Sequence, residues 1–254
     1  MTGVIGSDGF DTDVPRDETL ASIAVVARAL HVADAQLQPT LDAVVSTAAE
    51  TTGFDAGLLL LARGRLLPQA SSGRAPRLLD RMQQQLGAGP CVEAAQRQAP
   101  VRVTDTLLDC RWPEFCAAAA TLDVRSVLCV PLEAGAGCLG TLSLFAGRPA
   151  AFDDRDERIT TVFGTFAALA LADALRAQQL RTAMDNRDLI GQAKGILMER
   201  ERITASDAFE LLARQSQLRN VKLVVVARHL VETGELLGSR SAVPGAAAVQ
   251  RAAQ

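Results

Sequence analysis

The chain of 254 residues has no tyrosine, one tryptophan and two histidines, His31 and His229. Neither histidine falls in the strand-rich middle of the chain, which argues against a histidine-ligated haem there. Cysteine is sparse too: Cys91, Cys110, Cys116, Cys129 and Cys138 form no CxxC pair, so the zinc and thioredoxin spacings are both missing and no metal site is expected. In a reducing compartment such thiols pack as small apolar groups, but their clustering keeps Cys91, Cys116 and Cys129 as candidates for redox sensing. The longest apolar runs, "GLLLLA" (57–62) and "KLVVVA" (222–227), fall far short of the ~18 residues that span a bilayer. The opening "MTGVIGSDGFDTDVPRDE" lacks the basic and apolar regions of a secretory signal, so the expectation is a cytoplasmic protein with no membrane partner. Excess positive charge is missing as well: the net charge is −3, and any site for a polyanion must be local.

About half of the residues are apolar, enough to bury a core in one or two domains. Residues 1–16 and 238–254 carry no sustained apolar period and are expected to be disordered. Between them, 17–53 reads as one or two helices ending at Gly53. "AGLLLLARGRLLPQA" (56–70) reads as two strands around a turn at Arg63-Gly64, "APVRVTD" (99–105) as a third strand, and "RSVLCVPLEAGAGCLGTLSLFAG" (125–147) as a hairpin closed by "EAGAG". Helical stretches separate them at about 75–86, 91–98 and 113–122, which gives an α+β arrangement, an antiparallel sheet carrying helices.

No proline occurs between Pro149 and Pro244. Residues 153–201 therefore fit one long helix, opened by acids that suit its N-terminal dipole, with Ile159, Phe163, Phe166 and Ala170 as the stripe facing the sheet. Two shorter helices follow. Thr204 and Asp207 form a capping box for the first, whose Ala205, Ala208, Phe209 and Leu212 are expected to share a core face. Asn220 is expected to cap the second, which ends near Gly234. Its Leu223, Val224, Ala227, Leu230 and Val231 are expected to face inward, with Val221, Lys222, Val225, Arg228 and His229 outward. With Phe209 inside, no exposed ring is left in this region for base stacking.

In "RDLIGQAKGILMER" (187–200), helical winding gathers Leu189, Ile190, Ala193, Ile196 and Leu197 into one stripe. Gly191 and Gly195 fall on the opposite side with Arg187 and Lys194. Each glycine costs roughly 1 kcal/mol against alanine in a helix, and a smooth strip flanked by cations lets a second backbone come close, whether a helix or a sugar-phosphate chain. Residues 185–237 balance eight cations with eight anions, yet Arg214, Arg219, Lys222 and Arg228 lie between Leu211 and Val231 with no carboxylate among them. A local basic face of this kind suits phosphate, and also suits plain solvation.

Residues 187–236 resemble an ANTAR domain, the three-helix RNA-binding module of transcription antiterminators. The resemblance rests on Ile190, Gln192-Ala193-Lys194-Gly195, Leu197-Met198, Ala208-Phe209, Leu212, Ser216, Asn220, Lys222-Leu223, Ala227 and Val231. Residues 20–180 are similar to a GAF domain through "GPC" (89–91), "TDTLLDCRWPEF" (104–115), "VRSVLCVPL" (124–132), "GCLGTLSLF" (137–145) and "AF" (151–152). Phe152 followed by Asp156-Glu157 matches part of the cyclic-nucleotide signature of some GAF domains, but the upstream Asn-Lys pair is missing and helix-opening acids account for it more simply.

The resemblances imply four segments: 1–16, a GAF-like sensor over 17–180, an ANTAR module over 181–237, and a tail over 238–254. They imply a dimer that binds paired hairpin loops in nascent messenger RNA under control of a small-molecule effector, with no cofactor predicted and no enzyme activity. The RNA contacts carried over are Arg187, Gln192, Lys194, Gly195, Ser216, Arg219, Asn220, Lys222 and Arg228. Asn220 fits a cap equally well, and Ser216 a hydrogen bond at a helix end. Two alternatives stand beside this reading: a cysteine-dependent redox enzyme or sensor of GAF fold, and a DNA-binding regulator using a helix-turn-helix.

Overall fold

The computed structural model describes residues 36–135 and 137–237, which form two compact units dividing after Gln178. The first helix expected within 17–53, the two terminal segments and His31 lie outside the described residues.

In the first unit the elements run α1 (Leu37–Thr52), β1 (Asp55–Ala62), β2 (Arg65–Ser71), α2 (Arg74–Leu86), α3 (Pro90–Arg97), β3 (Val101–Val103), α4 (Pro113–Thr121), β4 (Ser126–Ala134) and β5 (Gly137–Ala146). The strands make one antiparallel sheet in the order β2-β1-β5-β4-β3. The expected third strand shrinks to three residues, which pair with β4 at the sheet edge. Gly53 ends α1 in the left-handed conformation, as expected.

Both faces of the sheet are covered, and the two-residue period of the strands sorts their side chains between the layers. Leu128, Val130 and Leu132 of β4 join Leu142 and Leu144 of β5 under α1, while Val127 and Cys129 point the other way, toward Leu79, Ala94 and Phe115 of α2, α3 and α4. The first side is also where the long helix α5 (Asp154–Glu201) packs. Within the sheet unit its buried side chains are Thr160, Phe163, Ala167, Ala168, Leu171 and Ala174. That line differs from the expected stripe: Phe163 is in it, whereas Ile159, Phe166 and Ala170 are only half-buried. The reason is close packing, since Gly164 lies against Val130 Cγ2, where an added Cβ would sit 3.3 Å away. The helix surface turns toward its small residues there.

The start of α5 is held three ways. Asp153 and Asp156 cap each other, each backbone N–H donating to the other's carboxylate at 3.0 and 2.9 Å. Arg102 on β3 donates to Asp154 (3.0 Å) and Glu157 (2.6 Å). Phe152 is buried edge-on against Phe54. These contacts give structural employment to all three residues of the partial cyclic-nucleotide signature. One 18-residue window of α5 reaches a mean hydropathy of 1.3, long and apolar enough to cross a membrane by length and composition alone; the first part of the helix is a core helix of the sheet unit.

The second unit takes the end of α5 with α6 (Ala205–Arg219) and α7 (Leu223–Thr233). Its core is Ala193, Leu197, Ala208, Leu212, Val226, Ala227 and Leu230, with Leu189, Ile190 and Ile196 packed beside it as the winding of 187–200 predicts. The capping box forms in full, Thr204 Oγ1 accepting from the Asp207 N–H and the Asp207 carboxylate from the Thr204 N–H. "KLVVVA" is helical as expected, its β-branched run overridden by tertiary packing.

Three expectations fail here. Phe209 is exposed, at 44 %, and so is Ala205; the narrow core is filled by Ala208 and Leu212, which leaves no room for a ring. On α7, Val226 is fully buried while Val224 is half-buried, and Val221 packs against the core instead of facing outward. Asn220 does not open α7. It ends α6 in the left-handed conformation (φ 52°), and Lys222 takes the N-cap place of α7 without a side-chain bond.

Candidate functional site

Two places gather polar chemistry. In the helical unit, Gly191 and Gly195 face open space, with nothing within 4 Å of an added Cβ. Arg187 and Gln192 are exposed and Lys194 is half-buried on the same helix. On α6 and α7, Arg219, Asn220, Lys222 and Arg228 are exposed. Among the described residues, Arg187, Lys194, Arg214, Lys222 and Arg228 enter no ion pair. Their charge is therefore not neutralised within the fold. Arg219 reaches Gln215 Oε1 at 3.5 Å. Ser216 has structural work: its hydroxyl donates to the Val221 carbonyl at 2.6 Å, closing the loop between α6 and α7. Asn220 supplies the backbone turn in that loop. Sequence reasoning missed Phe209, which stands exposed with Val225 and Leu218 as apolar surface of the same unit; its position on the amphipathic pattern gave the opposite signal.

The second place lies inside the sheet unit. Antiparallel register sets Gly57 of β1 beside Ser143 of β5, and Ser143 beside Cys129 of β4, in one row across the sheet. Above this row α2 brings Asp80 and Gln83, both fully buried, and α3 brings Cys91. Gly57 has no side chain, which leaves room for the Asp80 carboxylate against the strand. Gly89 at φ 142° would collide with Gln83 if it bore a Cβ; as glycine it lets the Cys91 N–H donate to Gln83 Oε1 at 2.8 Å. Gln83 Nε2 in turn donates to Cys91 Sγ at 3.4 Å. The Cys91 and Cys129 sulfurs are 2.9 Å apart, as free thiols. Asp80 Oδ2 and Thr141 Oγ1 are buried without a hydrogen-bond partner.

Burial raises every acid in this cluster, but it does not win everywhere. At Cys91, hydrogen bonds from Cys129 and Gln83 outweigh burial and bring the thiol below its ordinary range. Burial and the neighbouring Cys91 push Cys129 and Asp80 well up. Of the two thiols Cys91 is therefore the more acidic, and Cys129 and Asp80 give up a proton less readily than usual. Of the three candidate thiols the structure joins two. Cys116 is buried on α4 in the same apolar cluster without a thiol partner, and burial raises its pKa. Among the described residues no group of histidine, cysteine and carboxylates could hold a metal.

The antiparallel sheet between helices, with a separate three-helix unit after it, defines a two-unit protein, an α+β domain followed by a helical module. Comparison with family models agrees: a GAF domain matches residues 34–172, more than half of the chain, and an ANTAR domain matches 178–231. The chain belongs to the GAF family and carries an ANTAR domain after it, the architecture of an RNA-binding antitermination regulator with a sensor domain. Among solved structures it is similar to the GAF domain of an Acinetobacter phosphoenolpyruvate-protein phosphotransferase (20 % identity, 63 % of this chain and 97 % of that one, TM-score 0.53). The corresponding Coxiella burnetii domain matches at 20 % identity over 66 % and 99 % of the chains, TM-score 0.52. A free methionine-R-sulfoxide reductase from Neisseria meningitidis, bound to its substrate, matches at 18 % identity over 65 % and 96 %, TM-score 0.51. At these identities the likeness is one of fold. A comparison with curated proteins finds no match.

Proposed function

We propose that the protein is a cytoplasmic, dimeric regulator that binds paired hairpin loops in nascent messenger RNA and so keeps a terminator from forming. The observation that carries this reading is the set of un-neutralised cations of the helical unit, together with two helix glycines that open onto empty space. Phosphate contacts position an RNA backbone. Lys194 and Lys222 are the foremost contacts, with Arg187, Gln192, Arg219 and Arg228 around them and Gly195 as the point of close approach. Ser216 and Asn220 shape the loop that presents Lys222 and act through it. The sensor is 17–180 and the RNA-binding module 181–237, with a small-molecule effector biasing one sensor state; α5, continuous from one into the other, is the route of the signal. An effector shifts the equilibrium only by its differential affinity for the two states. The protein is a regulator and not an enzyme in this reading.

Binding of a paired-hairpin RNA, a scrambled RNA of equal length and a DNA duplex by the purified dimer tests it. Preference for the paired hairpin over both competitors is the expected result. Equal binding of scrambled RNA overturns the hairpin reading, and preference for duplex DNA replaces it with the helix-turn-helix alternative.

A further inference from the structure

The cysteine pair beneath α2 and α3 has chemistry that the RNA-binding reading does not use. Its two members come from parts of the chain 38 residues apart, the first turn of α3 and the middle of β4, yet their sulfurs touch. The neighbours give the two sulfurs unequal roles. Cys91 accepts from Gln83 Nε2 as well as touching Cys129, and it sits at the N-terminal end of a helix, where negative charge is favoured. Cys129, on β4, is not at a helix end. The remaining thiols lack this arrangement: Cys110 and Cys138 turn toward the carbonyls of Leu108 and Gly140, and Cys116, packed in an apolar cluster near Asp109, Arg111 and Cys110, makes no sulfur contact of this kind.

A recess of about 140 Å³ between β1, β2, α2 and α3 ends on Gln83, and a second of about 360 Å³ on the other side of α2 ends on Asp80. Gln83 lines the first recess and also contacts Cys91 Sγ.

We infer that Cys91 and Cys129 are a dithiol site oxidised by small hydroperoxides, with Cys91 the attacking sulfur and Cys129 the resolving one. Cys91 sulfur attacks one peroxide oxygen, the O–O bond breaks, and the departing oxygen takes the Cys91 proton and leaves as water or alcohol. Cys91 is then a sulfenic acid. Cys129 sulfur attacks it, the S–S bond forms, and the hydroxyl leaves as water with the Cys129 proton. Two thiols and one peroxide give one disulfide, one alcohol or water, and one further water. The product fastens the first turn of α3 to the central part of the sheet. The site belongs to the sensor unit alone and stands whether or not the helical unit binds RNA.

The test uses the full chain, reduced, freed of reductant and treated with one equivalent of hydrogen peroxide, then denatured for thiol counting and peptide mapping. Two of the five thiols are expected to disappear, a linked Cys91–Cys129 peptide pair to form within one chain, and all five to return with dithiothreitol. Cys110→Ser should form the same bridge, and Cys129→Ala should form none and hold Cys91 as a sulfenic acid captured by dimedone. A bridge between any other pair, a bridge between chains, or oxidation of Cys110 with Cys91 and Cys129 still free overturns the inference. The map of the unsubstituted chain decides the matter even if Cys129→Ala fails to fold.

Discussion

The sheet unit hides its polar chemistry and the helical unit displays it. Asp80, Gln83, Thr141 and Ser143 are all buried under α2 and α3, whereas the seven-residue core of the helical unit holds no polar side chain and its cations stand outside. The difference teaches what kind of partner each can take. An interior cluster with small recesses beside it suits small molecules, while exposed, unpaired cations and open glycines suit a long charged backbone.

Breaking the small core should have the largest effect. Leu212→Ala removes a fully buried side chain from seven core residues and is expected to cost about 2–5 kcal/mol, read in chemical denaturation as loss of the helical unit's transition. An equal loss of the sheet unit's transition would show that the two do not unfold separately.

Gly191→Ala and Gly195→Ala sharpen the contrast, because they separate folding from binding. Each added methyl meets open space, so each should stabilise the helix by about 1 kcal/mol. Binding of hairpin RNA should nevertheless weaken, since the methyl fills the place of close approach. Stabilisation with unchanged affinity would show that the glycines serve no contact with RNA.

The buried cluster makes a smaller, pH-dependent prediction. Folded Asp80 keeps its proton above the ordinary carboxylate range because of burial and then Cys91. From roughly pH 4 upward the unfolded chain therefore holds fewer protons at this site than the folded one, and stability falls as pH rises across that window. Asp80→Asn removes this slope and should gain on the unsubstituted protein as pH rises above about 4. A parallel pair of stability curves would contradict it.

Much of this was legible in the sequence, for local reasons. Caps and periodicity placed α5, α6 and α7, because the capping box at Thr204 and the glycine at Gly234 are contacts within a few residues. The strands followed from alternation and from their turns. Phe209 was misread because an apolar residue next to Ala208 fits a helical stripe, and only the width of the core decides which of them enters it. Asn220 was misread for a related reason: an asparagine between two helices suits the end of one as well as the start of the next, and the left-handed backbone chooses. The Cys91–Cys129 contact has no local signature. It needs the register of β4 with β5 and the seating of α3 over both, and no spacing encodes that.

The central claim is that the exposed cations of the helical unit hold RNA phosphates, and the salt dependence of binding measures this most directly. Removing one phosphate contact lowers the slope of log K against log salt by about 1. The double variant Lys194→Ala/Lys222→Ala should therefore lower that slope by about 2, weaken binding to hairpin and scrambled RNA alike, and leave thermal stability within about 0.5 kcal/mol. An unchanged slope with unchanged affinity would contradict the account.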